Sequence, residues 1–157
     1  MDLFGENGAI FSQCRRYRYA LWRIWDDTKP AVMFIGLNPS TANEGNDDPT
    51  IRRVQQFAKR WGYGGVFMLN LFGWVTPYPE ELLQCPDPIG ENDSYLKDYQ
   101  EKCAEVIFAW GAFSVATDRA KEVAAMMPGK ALVINKNGTP RHPLYVKSEV
   151  VPVIFKS

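Results

Sequence analysis

Two asparagines and one histidine stand out as residues able to do chemistry. Asn38 lies in Gly36-Leu37-Asn38-Pro39-Ser40, directly after the apolar run Ala31-Val32-Met33-Phe34-Ile35. Asn70 closes a second run, Gly65-Val66-Phe67-Met68-Leu69-Asn70. His142, the single histidine, sits between Arg141 and Pro143. Gly36 lets the backbone turn or approach a ligand closely, and Pro39 drives Asn38 into an extended conformation. The result is a rigidly presented amide that can hold a water or read a base edge but is no strong base. His142, fixed by the proline after it, reads as an acid, a base or a hydrogen-bond donor, or as a plain loop histidine.

Other chemistries lack their residues. There is no Gly-x-Ser-x-Gly elbow for a serine nucleophile, no Gly-x-x-x-x-Gly-Lys loop and no Gly-x-Gly-x-x-Gly fingerprint. One histidine with the dispersed Cys14, Cys85 and Cys103 builds no usual zinc site. Glu44, Asp47 and Asp48 carry the oxygens that magnesium takes. Asp47 and Asp48 are better explained as residues that open a helix, so neither metal nor cofactor is expected.

The elements that must position these groups follow from hydrophobic pattern. Residues Arg16 to Trp25 alternate apolar and basic, which predicts an antiparallel or edge strand with Arg16, Arg18 and Arg23 toward water. Ala31 to Leu37 and Gly65 to Leu71 read as buried strands, as do Val106 to Gly111 and Ala131 to Asn135. Between the first two, Asp48 suits an N-cap and Pro49 the first helical position. Ile51, Val54, Phe57, Ala58 and Trp61 recur at helical spacing. Helices are also predicted over Pro79 to Gln84, Asp93 to Ala104 and Asp118 to Met127, and a final strand over Val150 to Phe155. Near-continuous apolar strands alternating with helices predict an α/β fold, a three-layer αβα sandwich on a mainly parallel central sheet. Loops leaving parallel strands gather on one sheet edge, so Asn38, Asn70 and Trp110-Gly111 should converge there, with His142 able to join them.

The 157 residues suit one domain, residues 1–157. Eighteen Lys and Arg balance eighteen Asp and Glu, so any nucleic-acid contact must come from local patches. Arg52, Arg53, Lys59 and Arg60 share the polar side of the first helix, a solvated face that could also meet phosphates. Tyr17, Tyr19 and Trp22 interleave with the early arginines, and Trp74, Tyr78 and Trp110 lie near strand exits, available for core packing or for base stacking. Three scattered cysteines, no recognisable leader and no apolar run of membrane-spanning length point to a cytoplasmic protein without a membrane partner.

Four segments in order resemble the uracil-DNA glycosylase superfamily: the Gly36–Ser40 loop, the strand ending at Asn70, the strand Val106–Gly111, and His142-Pro143. A closer resemblance is to a bacterial and phage family of unknown function. Its signature stands here as Leu37-Asn38-Pro39-Ser40-Thr41-Ala42, Asp47-Asp48-Pro49-Thr50-Ile51-Arg52-Arg53, Asn70-Leu71-Phe72 and Pro140-Arg141-His142-Pro143-Leu144-Tyr145.

The glycosylase resemblance implies a hydrolase that cleaves the N-glycosidic bond of a modified or mismatched base, in DNA repair or DNA modification. Asn38 would position the attacking water and His142 would donate a hydrogen bond to the departing base. Asn70 would pair with a flipped base, with Gly36, Leu37, Pro39 and Ser40 around it, and Arg52, Arg53 and Arg141 would meet phosphates. Three departures matter. No stacking aromatic follows the first motif, Ser40 replaces the bulky residue that excludes a 5-methyl group, and Leu144-Tyr145 follows the His-Pro pair. Leu144 reads as a wedge into DNA or as packing under the loop. The alternative functions are an enzyme of the same fold acting on a free nucleotide or nucleoside, and a non-catalytic module that binds nucleic acid or protein.

Overall fold

The computed structural model describes residues 6–156. In chain order its elements are β1 (Glu6–Phe11), β2 (Arg18–Ile24), β3 (Ala31–Gly36), α1 (Pro49–Arg60), β4 (Gly65–Asn70), α2 (Asn92–Lys102), β5 (Glu105–Phe108), α3 (Thr117–Met126), β6 (Lys130–Ala131) and β7 (Val153–Ile154). Short 3-10 turns cover Pro79–Leu83, Ser114–Ala116 and Pro143–Tyr145. The strands form one seven-stranded sheet in the order β1-β2-β4-β3-β5-β6-β7. Its centre, β4-β3-β5-β6, is parallel; β1, β2 and β7 pair antiparallel at the two sides.

The apolar runs explain the layering. Along β3, Met33 and Ile35 pack with Leu69, Leu96, Phe108 and Val123, while Val32 and Phe34 pack with Ile51, Val54, Phe57 and Ile107. A strand that is apolar on both faces is therefore covered on both faces, by α1 on one side and by α2 and α3 on the other. Fully buried rings such as Phe34 and Phe57 each contribute about 1.5–3 kcal/mol relative to exposure. Helix α1 begins as its sequence dictates: Asp48 Oδ1 accepts the Ile51 N–H at 2.9 Å and Pro49 occupies the first turn.

Three expectations need correction. The early strand is antiparallel, but β1 pairs along its outer side, so β2 is not the edge. Two of the three arginines expected toward water are not there: Arg16 is exposed, but Arg18 and Arg23 are each only 3% exposed. Both reach backbone carbonyls of the loop between β3 and α1, which covers them. The run Ala131–Asn135 pairs as a strand only at Lys130–Ala131. Beyond it the chain folds back on itself, with Ile134 bridging Pro140 and Asn135 N–H bonding Thr139 O at 2.8 Å.

One topological point places the site. From β3 the chain crosses through α1 to β4 on one side, and from β4 it crosses back through α2 to β5 on the other. The direction of winding reverses between β3 and β5, and a crevice forms at the carboxyl ends of strands on either side of such a reversal.

Candidate functional site

Asn38 leaves β3 at that crevice and is locked from behind. Its Nδ2 donates to Thr76 O at 2.8 Å and to Pro39 O at 3.0 Å. Thr76 is itself tied back, its N–H bonding Pro39 O at 2.9 Å. With both amide protons spent on backbone, Asn38 has Oδ1 left to offer a ligand, and that oxygen only accepts.

Asn70 leaves β4 beside it and is 2% exposed. Its carbonyl is held by Asn92 Nδ2 at 2.6 Å, and the next carbonyl, Leu71 O, by Arg119 Nε at 2.8 Å. Its own Nδ2 is buried with no partner among the described residues. Gly36 makes room for this side chain: a Cβ there would stand 2.8 Å from Asn70 Oδ1 and 2.6 Å from Met68 Cε.

His142 arrives from the far end of the chain. Gly111, at φ +77°, turns the segment after β5, and its N–H bonds Pro140 O at 2.9 Å, which brings the two segments together. His142 Nδ1 accepts the Leu144 N–H at 3.1 Å, so the neutral ring carries its proton on Nε2. Burial pushes its pKa below the ordinary histidine value, against the opposing pull of the Asp48 carboxylate.

Asn38, Asn70 and His142 line one cavity of about 170 Å³, with Gly36, Leu37 and Ser40 also in its wall. Among the members of that wall that sequence reasoning missed are its two charged ones, Arg18 and Asp48. Asp48 read chiefly as a helix cap and otherwise as one of three magnesium-type carboxylates, yet the oxygen not used by Ile51 is free for the cavity. Arg18 read as a solvated strand residue. Burial lowers its pKa to about 10, with the Asp48 carboxylate opposing and the Arg23 charge assisting, which leaves it charged at neutral pH.

The remaining expected site residues lie elsewhere. Pro39 is buried behind the loop, where its carbonyl receives Asn38 and Thr76. Arg53 is spent on its own chain, donating to Pro143 O, Ser148 Oγ, Gln56 Oε1 and Val146 O. Arg52 is exposed and bonds Asp47 O, outside the cavity. Arg141 bonds Asn135 Oδ1 at 2.8 Å and lines a second, open cleft of about 570 Å³ that shares His142 with the first. Apolar side chains stand exposed around this region: Phe113 and Tyr145 in the open cleft, Leu144 beside them, and Tyr78 between two prolines of the small cavity. Leu144 is 45% exposed, so it does not pack under its loop. Trp110 is buried, its ring tilted by 32° against Phe108 at 4.6 Å, and it also lines the small cavity, whereas Trp74 packs edge-on against Tyr17.

Glu44, Asp47 and Asp48 each have their own partner in Arg15, Arg23 and the Ile51 N–H. Among the described residues no group of three or more His, Cys, Asp or Glu is arranged to hold a metal. No described helix is long and apolar enough to cross a membrane.

A family model described as "Protein of unknown function (DUF1643)" matches residues 18–144. The chain belongs to that family. The DUF1643 span opens at Arg18 and closes just past His142, so it contains every residue that lines the small cavity. It leaves out β1 and β7, the two outermost strands of the sheet. No curated protein and no solved structure matches the chain.

Proposed function

We propose that this protein hydrolyses an N-glycosidic bond, holding a base in the small cavity while a water attacks the sugar. The observation that carries this reading is the meeting of Asn38, Asn70 and His142 in one wall, from three segments far apart in sequence. The order of those segments, which resembles that of uracil-DNA glycosylases, supports it. So does size: about 170 Å³ is small beside the roughly 300–1,000 Å³ of a typical small-molecule pocket and suits a single ring. The sugar and whatever follows it would lie in the adjoining open cleft.

Each residue has a task consistent with its bonding. Asn38 Oδ1 accepts a hydrogen from the water and aims its lone pair at the sugar carbon. Asn70 offers its unpaired Nδ2 to an oxygen on the base edge. As the carbon–nitrogen bond breaks, its electron pair leaves with the base, and the Nε2–H of neutral His142 meets the oxygen where charge collects. The water's proton goes to Asp48, the one carboxylate in the cavity wall.

A free nucleotide or nucleoside as substrate is the second reading. It is favoured by the neutral net charge and by an Arg53 already committed to its own chain, which leaves fewer cations for a DNA backbone. The test offers uracil, mismatched thymine, hypoxanthine and hydroxymethylated pyrimidines, in oligonucleotides scored for abasic sites and as free nucleotides. Product is expected from at least one set, falling by about 10²–10³ in Asn38→Ala and in His142→Ala. Product from neither set overturns both readings for these substrates, and full activity in both variants rejects the assigned roles. Salt separates the two readings, since affinity for DNA falls steeply with ionic strength and affinity for a mononucleotide does not.

A further inference from the structure

Arg18 is a buried cation whose guanidinium is mostly unused. It is 3% exposed, and of its three nitrogens only Nη1 has a partner among the described residues, the Ala42 carbonyl at 3.1 Å. Its Nε is buried without any partner, and no described carboxylate forms an ion pair with it. Asp48, on the wall of the same cavity, acts on it only at longer range. Asn70, another residue of that wall, carries a second buried donor without a partner among the described residues, its Nδ2. Two unpaired donors, one on a charged group, are costly to bury side by side on the residues of one wall, and an acceptor from outside the chain would offset that cost.

We propose that the cavity holds an oxyanion subsite, in which Arg18 and Asn70 together take a carboxylate or phosphate group of the ligand. A guanidinium presents its N–H groups as a planar fork that matches the paired oxygens of such groups. Ser40 and Thr50 add hydroxyls to a wall that Leu37, Ile51, Met68, Trp110 and Phe113 make largely apolar, so an oxyanion placed there has Arg18 as its one cationic partner. The charge layout fits the chemistry already assigned: Arg18 favours negative charge on the group held inside, and Asp48 favours positive charge on a sugar at the entrance. Applied to the base-binding reading, which this inference rests on, the preferred substrate is a pyrimidine carrying an acidic substituent. Applied to a free nucleotide, the same subsite takes its phosphate.

Calorimetric titration of the full chain with 5-carboxyuracil, uracil, uridine monophosphate and inorganic phosphate tests this. 5-Carboxyuracil is expected to bind roughly ten- to a hundredfold more tightly than uracil, and Arg18→Met to erase the difference while Arg18→Lys keeps part of it. If phosphate and the nucleotide bind in an Arg18-dependent way and neither free base does, the subsite stands and the base-binding reading falls. If uracil binds as well as 5-carboxyuracil, and phosphate not at all, the base-binding reading stands and the subsite is rejected. Absence of binding by all four overturns both. The comparison among ligands is made on the unaltered protein, so the outcome holds even where a variant fails to fold.

Discussion

Arg18 and Arg23 stand at opposite ends of one strand, equally buried under one loop, and finish in opposite states. Arg23 donates to Asp47 Oδ1 at 2.8 Å, to Trp22 O at 2.9 Å, to Asn43 O at 2.6 Å and to Asn46 O at 3.2 Å. Arg18 has the single Ala42 carbonyl. The aspartates beside them divide the same way: Asp47 is bound to Arg23, whereas Asp48 faces the cavity. Burial of a charge is thus no sign of function by itself. A buried charge with its bonds unmade is, because nothing in the fold repays its desolvation.

The sharpest way to break this contrast is to remove each cation. Arg23→Met should destabilise the protein by about 3 kcal/mol in chemical denaturation. That is the lower end for a broken buried pair, because Asp47 is 31% exposed and can turn to water. Arg18→Met should leave stability unchanged or raise it. Equal losses in the two variants would end the distinction.

The aspartates give the next test. Asp48→Asn keeps a side chain that caps a helix as well as Asp does, so the melting transition should hardly move. Turnover of an accepted substrate should fall about a hundredfold with the loss of the proton acceptor. A variant that melts early and turns over normally would return Asp48 to a purely structural role.

Gly36→Ala probes the orphan amide. The new methyl collides with Met68 and Asn70, with an expected cost of about 1–3 kcal/mol in stability and a loss of ligand affinity. Unchanged affinity would show that Asn70 does not touch the ligand.

The smallest effect belongs to His142, and it is cleanly read because the chain has one histidine. Its imidazole should titrate by NMR below the ordinary 6.5. Above that pH the ring is neutral whether the chain is folded or not. As pH falls from 6.5, the unfolded chain takes up the proton first, and the folded state loses stability until the depressed folded value is passed. A midpoint at or above 6.5 would show that burial does not dominate the titration of this ring.

How much of this was legible in sequence depended on whether the cause was local. Asp48-Pro49 with its spaced apolar residues announces α1, because a cap and a helical face are written within a dozen positions. The convergence of Asn38, Asn70 and Trp110 in one wall followed from the handedness of crossovers, which is general, whereas His142 is brought there by the Gly111–Pro140 hydrogen bond. What stayed hidden came from distant packing. β1 has little pattern of its own and exists by pairing with β2, with Gly8 lying under the Trp22 ring. Ala131–Asn135 has the composition of a strand, but its neighbours in space supply partners only for its start. Alternation in β2 sent Arg18 and Arg23 to solvent because a covering loop from another part of the chain leaves no mark on β2 itself.

Helix α1 carries one further consequence through Arg53, whose guanidinium fastens it to the backbone at Pro143 and Val146. Asp48 caps that helix at one end, and His142 heads the segment that Arg53 grips. The two chemically opposed side chains are thereby parts of one mechanical body. A change that displaces the helix is therefore expected to reach both, although Gly111 also holds the His142 segment through Pro140 O. For an engineer, residues 48–60 and 142–148 form a cassette to be exchanged together; grafted singly, either half would lose its register with the other.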